Sequence, residues 1–379
     1  MRSTSVGRFG LAAAGRGHAL PARVSTRTAV KLAIAASMAA NASAALAQCA
    51  SPGCAPFNAA TRPETGALLG NQRMLGLLFV HGLDDRAGEP QWPVHLDANG
   101  QPGRGQAWLR ASGQGTSTTN GSGNFDADSA GWLVQGGADI ATWSLFPAGR
   151  LHLGAIASLG GGRTDATARG NPVEAHGDTN GVGTGLYATW FQDDRTRLGW
   201  YSDLWWQYGW FDNGVDTAGV ARMSYRSHFG NASAEIGYAQ PMMQDSGWVI
   251  TPQWQIVYIH GHSYNFTESD GTDVQSAHRG GWMSRLGLRV MQAGGQDASK
   301  VSFRPYGALN WWYARNLREE VSLNKSSTSD LYPRNRLELK GGVAVSFRRG
   351  WSGWADIGWQ TGNQSFRAWS GEFGAKYSW

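Results

Sequence analysis

The stretch RLGWYSDLWWQYGWF, residues 197–211, decides the fold. Leu198, Trp200, Ser202, Leu204, Trp206, Tyr208 and Trp210 occupy one set of alternate places, and Tyr201, Asp203, Trp205 and Gln207 occupy the other. A period of two puts these sets on opposite faces of a β-strand. The first face carries no charge and is dominated by large apolar rings. The second mixes rings with a carboxylate and an amide. One face therefore meets an apolar medium and the other meets polar groups.

The same pattern recurs along the chain. RLELKGGVAVSF (336–347) sets Leu337, Leu339, Val343, Val345 and Phe347 against Glu338, Lys340 and Ser346. GWMSRLGLRV (281–290) sets Trp282, Leu286, Leu288 and Val290 against Arg285 and Arg289, and WVITPQWQIVYI (248–259) repeats the theme. Alternation alone describes a half-buried antiparallel strand in water or in lipid. Two features separate those cases. Aliphatic residues hold the middle of the apolar face while Trp and Tyr hold its ends, as in the girdles of a membrane barrel. Connections also alternate in length. Short ones include SLFPAGR (144–150), QDDRTR (192–197) and RRG (348–350). Long polar ones include GRTDATARGNPVEAHGDTNG (162–181), DNGVDTAGVA (212–221), SYNFTESDGTDVQSAHRG (263–280) and REEVSLNKSSTSDLYPRN (318–335). A soluble sandwich explains neither feature.

The strands fall near 105–116, 129–143, 151–162, 180–192, 197–211, 222–241, 247–262, 279–292, 300–314, 334–348, 351–361 and 371–379. The predicted fold is all-β: a 12-stranded antiparallel transmembrane barrel over 105–379. An even count returns both ends to the short-turn side. The polar faces supply Arg110, Asp139, Asp203, Glu235, Arg285, Arg289, Arg304, Glu338, Lys340, Asp356 and Lys376, which are expected to line a wet lumen. The last nine residues, GEFGAKYSW (371–379), place Phe373, Ala375, Tyr377 and Trp379 on the lipid face. This strand must pair with the first, near 107–114, so that no edge remains.

Composition agrees. The 379 residues include 19 Trp, 11 Tyr and 53 Gly, with a net charge of +5 and no basic-aromatic run of the nucleic-acid-binding kind. Residues 1–47 read as an export signal: Arg23, Arg27 and Lys31 precede an apolar run, and ALA at 45–47 fits a cleavage site. Gln48 argues against lipid attachment at Cys49. Cys49 and Cys54 are the two cysteines, and their spacing allows a small disulfide loop in an oxidising compartment. Two cysteines alone make a poor zinc site, and no cofactor or metal is expected.

One stretch breaks the period. PETGALLGNQRMLGLLFVHGLDDR (63–86) reads as a helix of the right length to span a membrane core, with Thr65 as N-cap. Gly66, Gly70, Gly76 and Gly82 weaken it as an isolated helix, so it needs a close-fitting surround such as a barrel lumen.

RPETGALLGNQR…LFVHGLDDRAGEPQW (62–92), AWLRASGQ (107–114), LWWQYGWFDN (204–213), DLYPRNRLELKGGV (330–343) and GAKYSW (374–379) together resemble the autotransporter (type V secretion) translocator barrel, of the pertactin-like or AIDA-like branch. The resemblance implies a pore helix over 63–88, with Pro63, Glu64, Gly66, Gly70, Asn71, Gly76, His81, Asp85 and Arg86 among its residues. It implies anchoring and export of an N-terminal passenger in a Gram-negative outer membrane. The implied partners are outer-membrane lipid, the barrel assembly machinery and periplasmic chaperones. Phe373, Tyr377 and Trp379 resemble the C-terminal assembly signal of such barrels. A monomer without enzyme activity is expected. The 48–62 segment is short for a passenger and reads as a linker or vestige. Relatives that cut themselves use an Asn pair; here Asn71 precedes Gln72, so no self-cleavage is expected. The competing readings are an open pore or an enzymatic barrel, the latter built on His260 and His262 with Asp270 or Asp273.

Overall fold

A computed structural model describes residues 59–88, 105–119, 122–145, 149–242, 247–276, 280–293, 301–347 and 350–379. The expected signal, most of the linker, and Cys49 and Cys54 lie outside these residues. Two helices come first, α1 (Pro63–Leu78) and α2 (Leu83–Ala87). The strands up to the first long connection are β1 (Gln106–Thr119), β2 (Phe125–Ser144), β3 (Arg150–Ala168), β4 (Glu174–Phe191), β5 (Gly199–Thr217), β6 (Val220–Pro241) and β7 (Trp248–Ser263). Then follow β8 (Phe266–Thr267), β9 (Asp273–Ser276), β10 (Gly281–Gln292), β11 (Ser302–Arg315), β12 (Arg318–Leu323), β13 (Ser326–Leu331), β14 (Asn335–Ser346), β15 (Trp351–Gly362) and β16 (Arg367–Ser378).

Twelve strands close a barrel in the order β1-β16-β15-β14-β11-β10-β7-β6-β5-β4-β3-β2. The first and last strands seal it, from Gln106 opposite Ser378 to Ser117 opposite Arg367. The barrel is inside-out by the standards of water. Leu109, Ile357 and Phe373 are 58%, 67% and 66% exposed, while Asp203 and Gln207 are fully buried. Closure leaves no unpaired strand edge in the apolar layer, which is what lipid demands.

Three expectations need correction. First, several strands run farther at the long-loop end than their apolar pattern indicates. β3 and β4 continue to Ala168 and from Glu174, and β5 and β6 meet across Ala218 and Gly219. Gly219 has φ +89, a left-handed conformation that a tight two-residue turn requires of one residue. The alternation persists there, but its outer face turns charged at Arg163, Asp165 and Asp178, so polarity imitates a loop. Second, the segments 263–280 and 318–335 are not plain loops. They build a four-stranded sheet in the order β13-β12-β9-β8 at the long-loop end. Third, the helix is not continuous. α1 starts at Pro63, with extended Arg62 rather than Thr65 at its cap. It stops at Phe79, and α2 begins after Gly82.

The break has a physical cause. The Gln207 amide donates to the Phe79 carbonyl at 3.2 Å, while Gln255 and Trp205 donate to the His81 carbonyl at 2.7 and 3.2 Å. The backbone N–H of Gly82 reaches Asp85 at 2.9 Å. Barrel side chains thus replace helical hydrogen bonds that would otherwise be lost at an interruption.

Candidate functional site

The helix-filled lumen is the site. α1 lies against β2, β3, β4 and β5. Its glycines make this approach feasible. A Cβ at Gly70 would sit 2.4 Å from Thr164 Cγ2, and one at Gly66 would meet Ala166 and Phe125. The Gly76 carbonyl accepts from Asn231 at 3.1 Å, and the Arg73 carbonyl accepts from the Tyr332 hydroxyl at 3.0 Å. The Asn71 amide is held by the Asp178 and Gly214 carbonyls and the Tyr225 hydroxyl. At the break, Phe79 packs over Gly183 and Gly209, and the His81 ring stacks on Trp205 at 4.5 Å.

Charges hold the second helix. Arg86 is 1% exposed, pairs with Asp203 at 2.5 Å and lies 3.9 Å from the Tyr187 ring centre. Asp85 meets Lys340 at 2.5 Å, and Lys340 also faces Asp356 at 3.5 Å. Asp84 takes the Gln253 amide at 2.6 Å and lies 3.4 Å from Arg289. Glu235 accepts the backbone N–H of Leu83 and pairs with Arg285 at 3.0 Å.

The other sequence-predicted lumen residues also point inward, and they meet groups of the barrel wall. Arg110 pairs with Glu372 at 2.7 Å. Glu338 accepts from Asn310, Trp312 and Gln360. Asp139 accepts from Tyr187 and contacts His152. Arg304 donates to Ser346 at 2.7 Å, and Lys376 is buried. Between the helices and the β1, β14, β15 and β16 wall remains a cavity of about 120 Å³ bordered by His81, Arg110, Lys340 and Glu372.

Sequence reasoning missed the amides Gln207, Gln255 and Asn231, which serve the helix backbone, and Gln253, which serves the Asp84 carboxylate. Their inward strand positions were visible, but an uncharged amide gives no signal of its own. It also missed the cap at the long-loop end. There Leu68 and Leu69 of α1 join Phe125, Val215, Val321 and Leu323 in one buried cluster. The backbone N–H of Ala59 donates to Ser326 at 3.2 Å. Arg62 contacts Glu64, pairs with Glu268 at 2.8 Å and lies 3.7 Å from Asp270.

This cap has a pH dependence of defined sign. Burial pushes the Glu268 carboxyl up to about 7 against the pull of Arg62, with Glu64 and Asp270 adding to the rise. The docked cap therefore binds this proton more tightly than an opened one. Docking is strongest below the ordinary carboxyl range and is lost as pH rises through 7. Amide exchange in β8, β9 and β12 should quicken about tenfold between about pH 5.5 and about pH 7.5, beyond the intrinsic change. Glu268→Gln should remove the excess.

His260 and His262 lie on the outer face, where His262 contacts His228, whereas Asp270 and Asp273 belong to the cap. The structure does not join them into a catalytic group. At the other end, Phe373, Tyr377 and Trp379 face outward, and Trp379 exchanges two backbone hydrogen bonds with Gly105.

Residues 107–358 match the family described as "Autotransporter beta-domain". The chain belongs to this autotransporter family. It is 30% identical to the protein YdeU of Escherichia coli (strain K12) over 328 residues, covering 84% of this chain and 70% of YdeU. It is 26% identical to the autotransporter adhesin AIDA-I of Escherichia coli, covering 84% of this chain but only 25% of the adhesin. The fold matches the crystal structure of the AIDA-I transport unit with a TM-score of 0.71 at 22% identity, over 84% of this chain and 99% of that one. The autotransporter barrel thus resides in the outer membrane of a Gram-negative bacterium, and the chain spans a minor part of some relatives and most of another.

Proposed function

We propose that this autotransporter barrel carries a segment joined to the N-terminal end of α1 across the outer membrane and then retains α1 as a plug and anchor. The single observation behind this reading is the polarity of the thread. Ala59 and Arg62 meet the cap at the long-loop end, whereas Gly88 lies against Trp354 in the short-turn half of the wall. Short turns belong on the periplasmic side, so the N-terminal end emerges outside. An epitope tag inserted just before Ala59 should bind antibody on intact cells. Detection only after permeabilisation would refute the reading. Residues 1–47 would act as the export signal in this scheme.

No catalytic role is assigned. With its side-chain amide tied to three acceptors, Asn71 is poorly placed to attack its own backbone, in keeping with an uncut chain. Assembly would run through the last strand. Trp379 packs on Gly105 and completes the β1–β16 seam, and its ring lies at the short-turn girdle. Deleting Trp379 should leave most of the chain in periplasmic aggregates, read by fractionation and by loss of the heat-modifiable band. Normal insertion would remove Trp379 from the assembly signal.

A further inference from the structure

Beyond the apolar band, the outer face of the barrel has two sectors of opposite character. On β2 to β5 it carries carboxylates, among them Asp128, Asp165, Glu174 and Asp178. The outward arginines of β3 and β6 are paired with carboxylates of this kind. Arg163 pairs with Asp165, Arg222 with Asp178, and Arg226 with Asp212. The opposite sector is different. No outward-facing described residue of β10, β11, β14, β15 or β16 is a carboxylate. Three arginines stand there at the long-loop rim: Arg315 at the end of β11, Arg334 just before β14, and Arg367 at the start of β16.

Each arginine sits directly beyond an aromatic row. Arg315 follows Trp311 and Tyr313 on the same face, opposite Trp282. The Arg334 guanidinium donates to the Tyr313 hydroxyl at 2.7 Å and stacks 5.3 Å from its ring centre. Arg367 lies one outward place beyond Trp369, opposite Thr361 and Ser117. Arg315 and Arg367 form no ion pair among the described residues. Below these rings runs bare aliphatic wall, with Leu309 and Leu339 more than half exposed at 55% and 58%.

We propose that Arg315, Arg334 and Arg367 bind the phosphate groups of an outer-leaflet glycolipid, whose acyl chains lie along the aliphatic wall and whose sugars rest on the aromatic row. The chemistry is complementary at each depth. A guanidinium stacked on a ring is weakly hydrated and presents a fork that matches phosphate. Arg334 and Arg367 are two strands apart and, because Arg367 is level with Leu337, three residues offset along the strand, so their backbones lie roughly 14 Å apart and two separate phosphates can be engaged at once. The carboxylate sector repels the same headgroups, which biases the lipid to one side of the barrel. Placing this rim in the outer leaflet rests on the threading direction proposed above, and the antibody experiment reads that direction independently of lipid.

The test uses the full chain, purified as a heat-modifiable barrel and titrated with lipid A, dephosphorylated lipid A or phosphatidylglycerol in bicelles, with thermal stabilisation as the readout. The wild type should bind lipid A about tenfold more tightly than the Arg315→Gln/Arg334→Gln/Arg367→Gln variant, equivalent to the loss of roughly one charge-assisted contact or more. Arg163→Gln/Arg222→Gln/Arg226→Gln, which removes equal charge from the other sector, should stay within about twofold of wild type. Arg367→Gln alone gives a partial loss and guards against misfolding of the triple variant. The proposal is overturned if the triple variant binds like wild type, if the control loses as much, or if dephosphorylated lipid A or phosphatidylglycerol stabilises the barrel equally well.

Discussion

Replacing Arg86 with methionine should loosen the plug by about 3 kcal/mol or more. Arg86 and Asp203 are 1% and 0% exposed and 2.5 Å apart, so the substitution leaves a carboxylate in the wall with its charge partner gone. The stacking on Tyr187 at 3.9 Å is lost as well. The Thr189 hydroxyl, 2.6 Å from the same Asp203 oxygen, can offset only a part. Amide exchange across α1 and α2 measures the effect, and protease nicking near the break at Phe79–Gly82 gives a second reading. Barrel amides should hardly change, because the strand ladders do not involve Arg86. Arg86→Met combined with Asp203→Leu should recover most of the loss, since an apolar pair of similar volume does not carry the desolvation cost. Unchanged protection in the single variant would show that the glycine-lined contacts of α1 alone retain the plug.

Deleting residues 59–88 should open the barrel. The intact lumen keeps a cavity of only about 120 Å³ beside the helices, too small for a wide channel. Without them, the inward charges Asp203, Glu235, Arg285 and Lys340 would border water, which solvates them, so the wall loses little stability. Planar-bilayer conductance should rise by about tenfold, as expected when a twelve-stranded barrel loses its filling. Heat-modifiable migration checks that the deleted protein still closes. A large conductance in the intact chain, or none gained on deletion, would refute the plugged lumen.

These expectations draw unevenly on sequence and structure. The inward charges of β5 and β10 were legible because alternation is a local property: Asp203 lies between Ser202 and Leu204, and Arg285 between Ser284 and Leu286, of the opposite face. Which charges hold the plug was not legible. Arg110 and Glu338 read the same as Asp203 and Glu235 along the strand. Yet Arg110 pairs across the seam with Glu372, while Glu235 meets the backbone of Leu83. Pairing with a helix more than a hundred residues away depends on register around the whole barrel.

The outward extensions failed for a different reason. Strand reading depends on apolar contrast, and that contrast vanishes where β3 and β4 leave the lipid layer at Arg163 and Asp178. The cap failed because its strands are short. Two to six residues of mixed polarity, such as Phe266–Thr267 or Arg318–Leu323, are too short for a period to stand out and gain their order by packing with Leu68, Leu69 and Phe125.

The amino-acid sequence by itself determined the number of barrel strands, the lipid face, the closing pair of β1 with β16 and the presence of a glycine-bearing helix. Each follows from periodicity or parity within the chain. Only the tertiary structure decided that the helix breaks at Phe79–Gly82, that Arg86 and Asp85 bear its ionic anchors, and that a folded cap closes over Ala59. A broken helix is stable only where Gln207, Gln255 and Trp205 arrive from the wall to satisfy its carbonyls, and three-dimensional closure alone brings them there.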